Sequence, residues 1–193
     1  MTKLSLRNSI LDAGLDVMFG SGYHAASVRD ITKAAQAPLG SFTNHFESKE
    51  VFALEVLERY FVYVTGLVGQ ALSDETVSPR QRILNYFELI GNKLANDHWL
   101  RGCLIGDLSL GVSSHSELLR TRLQKIFEEW RQPFAACITE AQASGEISSD
   151  TNAHELADFL IASWHGAILR MKVDRNPKAL TRFKIIISKK ILV

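Results

Sequence analysis

Apolar residues recur every three to four positions along almost the whole chain, the period of helices packed on one face. From Leu4 to Phe19 the repeat runs through Ile10, Leu11, Leu15, Met18 and Phe19, and Gly20 and Gly22 are expected to end that helix. Ser27 then reads as an N-cap, with Asp30 three residues on placed to reach back as a variant capping box. Val28, Ile31 and Ala35 carry a short second helix. Gln36 and Ala37 break the repeat, and Pro38 suits the first turn of a third helix. That helix is short, with Leu39, Phe42 and Phe46 as its expected inner face and Ser41, Thr43, Asn44 and His45 looking outward. Two short helices, a tight turn and a polar outer face on the second describe a helix-turn-helix.

Ser48 caps a long fourth helix over 49–72, whose apolar residues, among them Phe52, Val56, Leu57, Tyr60, Phe61 and Val64, cover an arc wide enough for burial on more than one side. After the polar loop 73–79, the pattern predicts helices at about 79–97, 103–111 and 115–143, the last kinked by Pro133. The segment 152–173 is apolar almost all round. Asn176 and Pro177 break the chain, and a final helix carries Leu180, Phe183, Ile187 and Ile191. The β-branched run Ile185-Ile186-Ile187 also suits a strand, but no other segment offers it a partner. The expectation is an all-α chain of nine helices, with a three-helix head over 1–48 and a helical body over 49–193, joined by the 49–72 helix.

Composition narrows the class. The 46% apolar content is ample for a core, and no apolar run is long enough to span a bilayer. The N-terminal stretch has no long apolar run ending in a small-residue cleavage site, so a signal peptide is not expected. Two cysteines 34 positions apart make no disulfide framework. These features point to a soluble cytoplasmic protein with free thiols. Enzyme signatures are missing: there is no Gly-x-Ser-x-Gly, no phosphate-binding glycine loop and no His-Glu-x-x-His. The six histidines show no paired ligand spacing, so neither a metal nor a cofactor is expected.

The run Ile31, Ala35, Gly40-Ser41-Phe42, His45-Phe46 and Ser48-Lys49-Glu50 resembles the DNA-binding signature of the TetR family of transcriptional regulators. The likeness extends over roughly Arg7 to Phe52; the rest of the chain matches in helix number and length. The resemblance implies a DNA-binding head at 1–48 and a ligand-binding, dimerising body at 49–193. It implies that Ser27, Arg29, Gly40, Ser41, Thr43, Asn44, His45 and Lys49 meet duplex DNA, with Ser27 and Lys49 on phosphates. Three positions depart from the pattern. The family usually has Tyr at Thr43, often a basic residue at Leu39, and a turn Gly at Gln36. The last departure costs about 1 kcal/mol if Gln36 takes a positive φ.

Charge gives the DNA reading little help. Net charge is +1, and the first sixty residues hold six cations, Lys3, Arg7, Arg29, Lys33, Lys49 and Arg59, against seven carboxylates. Phosphate neutralisation must then rest on local placement, and on two heads acting together in a dimer.

In the body, Arg101-Gly102-Cys103-Leu104 is similar to the NemR-like branch of the same family, whose members respond to reactive electrophiles. A thiolate beside a cation is reactive, whereas a buried cysteine is a small core residue. Cys137, between Ala136 and Ile138, reads as structural. The resemblance also places a small-molecule pocket among the body helices. Phe87, Trp99, Cys103, Trp130, Phe134, Trp164 and His165 are the candidates to line it, though each aromatic alone suits the core. The expected function is a homodimeric transcriptional regulator, a repressor by family habit, released from operator DNA by a small-molecule inducer or an electrophile. The alternative is a helical ligand-binding or protein-interaction module whose degenerate head no longer binds DNA.

Overall fold

The computed structural model describes residues 5–193; Lys3, counted among the head's cations, and Leu4, expected in the first helix, lie outside the described residues. Among the described residues every regular element is helical: α1 Leu6–Ala25, α2 Val28–Ala34, α3 Gly40–His45, α4 Lys49–Leu72, α5 Pro79–Asn96, α6 Leu104–Val112, α7 Glu117–Ala143, α8 Ala153–Asp174 and α9 Lys178–Ile186, with a π turn at Ile187–Ile191. The Ile185–Ile187 run therefore continues a helix and forms no strand, its β-branched preference overridden by burial of Phe183 and Ile187.

The chain divides into two compact units. The first comprises the chain up to Tyr63 with Leu104–Lys125, and the second Val64–Cys103 with Ile126–Val193. In the first, Ser5 caps α1 by accepting from the Asn8 N–H at 3.3 Å. Gly20 does not end this helix, contrary to expectation. The break falls at Gly22, where φ is +77° and only glycine is unstrained, and one further turn follows to Ala25. Gly14 has a different reason to lack a side chain: a Cβ there would lie 2.2 Å from the Phe52 ring. That close approach seats α1 on α4, and Phe42, Phe46 and Phe52 complete the core with ring centroids 4.8–5.2 Å apart. At the rim, Arg7 pairs with Glu55 and Arg59 with Asp12.

In the second unit, Ser78 caps α5 with Pro79 in its first turn, and Asn152 caps α8 by accepting from the His154 N–H at 2.9 Å. α8 stops at Arg175, which adopts the left-handed conformation of a helix terminus. Phe87 sits at the centre of the core, its ring 4.9–6.0 Å from those of Phe134, Trp164 and Phe183. Arg82 is buried yet satisfied at two of its nitrogens. It donates to the Leu72 carbonyl at the end of α4 (3.1 Å) and to the Glu140 carboxylate (2.7 Å). α7 runs from Glu117 to Ala143 as one helix, with Pro133 inside it.

Candidate nucleic-acid interface

The turn that aims α3 is built from a few backbone bonds. Ser27 Oγ accepts from the Asp30 N–H at 3.1 Å and gives its own proton to the Asp30 carboxylate, so the acid answers the cap's hydroxyl where a capping box would use its backbone N–H. At the other end of α2, Gln36 has φ +53°. This left-handed residue lets the Gln36 N–H reach the Lys33 carbonyl (3.1 Å) and the Ala37 N–H reach that of Thr32 (2.9 Å), closing the last turn. Gln36 thus holds the conformation for which a glycine is the low-energy choice. The chain re-enters a helix at once, with the Ser41 N–H bonded to the Pro38 carbonyl at 2.9 Å.

α3 packs through Phe42 and Phe46, both buried, and turns Gly40, Thr43, Asn44 and His45 to solvent, with Ser41 half-buried. Leu39 differs from its expected inward position: it is 52% exposed. It stands at the very start of α3, where a side chain leans toward the helix N-terminus and clears the packed surface. Thr43 spends its hydroxyl proton on the Gly40 carbonyl at 3.1 Å. Ser27 and Arg29 are exposed at the start of α2. Lys49, at the start of α4, folds back on the end of α1: Nζ donates to the His24 carbonyl (3.3 Å) and lies 4.6 Å from the centre of the Tyr23 ring. Partial burial lowers its pKa. The Tyr23 pKa is raised, by burial and then by the nearby Glu50 carboxylate.

The body candidates lie in a different environment. Phe87, Phe134 and Trp164 are fully packed in the core. Trp130 meets His165 edge-on at 5.3 Å, and Phe127 approaches the same ring at 5.8 Å. Cys103 is buried close to the Tyr86 hydroxyl, whose pKa rises through burial first and the Cys103 charge second. Tyr86 was not singled out from the sequence; a tyrosine next to Phe87 on an inward helix face, with a hydroxyl that must find a partner, was the available signal. Trp99 is half-buried in a left-handed stretch, with φ +53° at His98 and +62° at Trp99. Cys137 donates to the Pro79 carbonyl at 3.2 Å, and burial pushes its thiol up to about 11. A surface groove of about 330 Å³ along α9 is lined by Pro177, Lys178, Thr181, Arg182, Ile185 and Ile186, none of them a candidate.

With this geometry in place, comparison decides the family. Residues 10–56 match the model described as bacterial regulatory proteins, tetR family, and residues 79–187 match the tetracyclin repressor-like C-terminal domain. The chain belongs to the TetR family. It is a DNA-binding transcriptional regulator by that membership. Among curated relatives, it is 43% identical to the HTH-type transcriptional repressor DhaR of Mycobacterium sp. strain GP1, over 100% of this chain and 95% of that one. The HTH-type transcriptional repressor NemR of Escherichia coli K12 is 27% identical, over 91% and 88%. Among solved TetR structures, the regulatory protein TetR from Rhodobacter sphaeroides superposes with a TM-score of 0.92 at 33% identity, covering 98% of this chain and 100% of that one. A CifR cysteine mutant solved with a 26bp double-strand operator DNA is 25% identical, with a TM-score of 0.80 and coverage of 96% and 95%. Among the described residues no helix is long and apolar enough to cross a membrane.

Proposed function

We propose that this chain is a cytoplasmic homodimeric repressor that holds a near-palindromic operator and lets go when its body binds a small molecule. The observation that carries the reading is the two-sided α3. Phe42 and Phe46 fix one side, and Ser41, Thr43, Asn44 and His45 leave a hydrogen-bonding surface on the other, within the segment matched to the family's head. Residues 1–48 serve as the DNA-binding part and 49–193 as the ligand-binding and dimerising part. Ser41 and Asn44 read base edges, while Ser27, Arg29, Thr43 and Lys49 meet the backbone. Each α3 enters one major groove, with half-site centres about 34–36 Å apart or a multiple of it. The CifR structure with operator DNA and the repressor names of DhaR and NemR support the direction of control.

Dimerisation rests on the outer faces of α8 and α9. Phe159, Leu169, Val173, Ile185 and Ile186 are exposed, more apolar surface than a solitary body leaves in water. Ile187 is 2% exposed and belongs to the core, so it offers nothing to that face. An obligate pair buries roughly 2,000 Å² or more. Phe159→Glu or Ile186→Glu therefore gives monomers in sedimentation, and wild-type monomer at micromolar concentration overturns the dimer.

The inducer site lies among Trp99, Cys103, Trp130 and His165, with Phe87, Phe134 and Trp164 as its packed wall. Cys103 is buried, so it meets an electrophile only when the body opens around it. An alkylating agent should then abolish operator binding by wild type and by Cys137→Ser, and spare Cys103→Ser; equal loss in all three assigns Cys103 to packing. The experiment that tests the whole reading is selection of bound sequences from random duplex DNA, followed by a salt series. DNA binding must weaken steeply with salt, and Lys49→Ala must flatten the slope across all sequences. A protein that selects no sequence and shows no salt-dependent binding has the degenerate head of the alternative reading.

A further inference from the structure

From the exposed Leu39 at the head of α3 we infer that this regulator reads thymine by its C5-methyl group, an apolar contact within an otherwise polar recognition surface. The inference rests on the DNA-binding reading above and deepens it to one base and one atom. Leu39 is 52% exposed, and between Ser27 and Glu50 the other large aliphatic and aromatic side chains are buried or half-buried. Its placement is fixed on both sides. Gln36 sets the turn before it with a φ of +53°, Pro38 restricts the residue ahead, and Leu39 itself has helical φ −55° and ψ −41°. The residues at the N-terminal end of a recognition helix are those that reach base edges. Leu39 is the N-cap of that helix, at the leading end of its exposed polar residues, so it enters the groove ahead of them.

The chemistry of the groove selects the base. A leucine has no hydrogen-bonding atom, so it gains nothing from the acceptors and donors of guanine, cytosine or adenine. The thymine methyl is the apolar feature in the major groove. Charge leaves room for such a contact. From Ser27 to Glu50 the cations Arg29, Lys33 and Lys49 are matched by Asp30, Glu47 and Glu50, and Lys49 is drawn partly onto Tyr23 and the His24 carbonyl. A neutral head has less phosphate attraction to draw on, and burying a leucine against a methyl supplies sequence-dependent free energy that salt does not screen.

The test uses the full-length protein and operator duplexes obtained by selection from random DNA. Each thymine is replaced in turn by deoxyuridine, which removes only the methyl. At one thymine per half-site, replacement should weaken wild-type binding about fourfold, the value of one buried methyl-sized group. Leu39→Ala should bind thymine and uracil duplexes alike at that position, while Leu39→Met retains the preference. Because Leu39 is exposed, both variants keep the wild-type melting temperature. The inference falls if deoxyuridine is harmless at every thymine. It also falls if the penalty persists undiminished in Leu39→Ala, which would assign the methyl to another residue. If wild type selects no duplex at all, the DNA-binding reading fails and this one with it; a selected operator indifferent to deoxyuridine removes this inference alone.

Discussion

The outer face of α3 and the aromatic centre of the second unit use similar side chains to opposite ends. In α3 and its C-cap, Phe42 and Phe46 are buried, and every hydrogen-bonding side chain of the six-residue helix is exposed or half-exposed. In the second unit, Phe87, Phe134, Trp164 and Phe183 pack ring to ring, and polar tips such as those of Tyr86 and Trp130 are drawn in with them. A two-turn helix is too short to pack on more than one side, so anchoring one face leaves the other free for a partner. A long helix that is apolar nearly all round, such as α8, has several faces that could pack. Trp164 and Phe159 share that helix, yet one is buried and the other half in water.

The sharpest way to test the contrast is to truncate one residue from each region. Phe134 is fully buried, with Tyr86 at 4.8 Å and Phe87 at 6.0 Å. Phe134→Ala should lose about 3–5 kcal/mol in urea unfolding, from lost transfer free energy and the cavity left behind. Asn44→Ala, on the exposed face, should stay within about 0.5 kcal/mol of wild type and lose operator affinity instead. Equal destabilisation by both substitutions would remove the distinction.

A second test overfills where the first empties. Gly14→Ala puts a methyl 2.2 Å from the Phe52 ring, and Phe52 is itself fully buried between Phe42 and Phe46. The ring must turn or α1 must lift, at a cost of about 1–3 kcal/mol. The disturbance reaches α3 through the shared aromatic core, so DNA affinity should fall along with stability in the same thermal and binding assays. An unchanged melting temperature would show that the head's packing is slack.

The cap residue should have a smaller effect. Ser27→Ala removes the acceptor of the Asp30 N–H and the donor to its carboxylate, and should lower stability by about 1 kcal/mol. Ser27→Asp, which keeps the cap oxygen, should restore stability but not DNA affinity, because a second negative charge faces the phosphates. Recovery of both would mean that Ser27 acts as a cap alone.

How much of this was legible beforehand follows the same division. The turn at Gln36, the caps at Ser27 and Ser48, and the inner pair Phe42 and Phe46 are local consequences of residue type and spacing, and they stand as expected. Leu39 differs from its expected inward place because a helical period fixes angle about the axis but not position along it. Leu39 overhangs the end of its helix. The candidate pocket residues depended on which of several apolar faces meet across helices far apart in sequence, and no local period encodes that. The long reach of Gly14 to Phe52 is hidden from sequence for the same reason.

The smallest effect comes from the turn itself, and it separates strain from contact. Gln36 is exposed and adopts φ +53°, a conformation that costs an L-residue roughly 1–2 kcal/mol. Gln36→Gly relieves that strain but gives the unfolded chain more freedom, which returns about 0.5–1 kcal/mol. The net change should be a stabilisation of a few tenths of a kcal/mol, up to about 1. If Gln36 serves only the backbone, operator affinity should hold or rise slightly, since the turn that aims α3 is kept and its bonds from Gln36 to Lys33 and from Ala37 to Thr32 do not involve the side chain. A loss of affinity with stability unchanged or increased would show instead that the Gln36 amide belongs to the DNA-facing surface, and would extend that surface back from α3 into the turn.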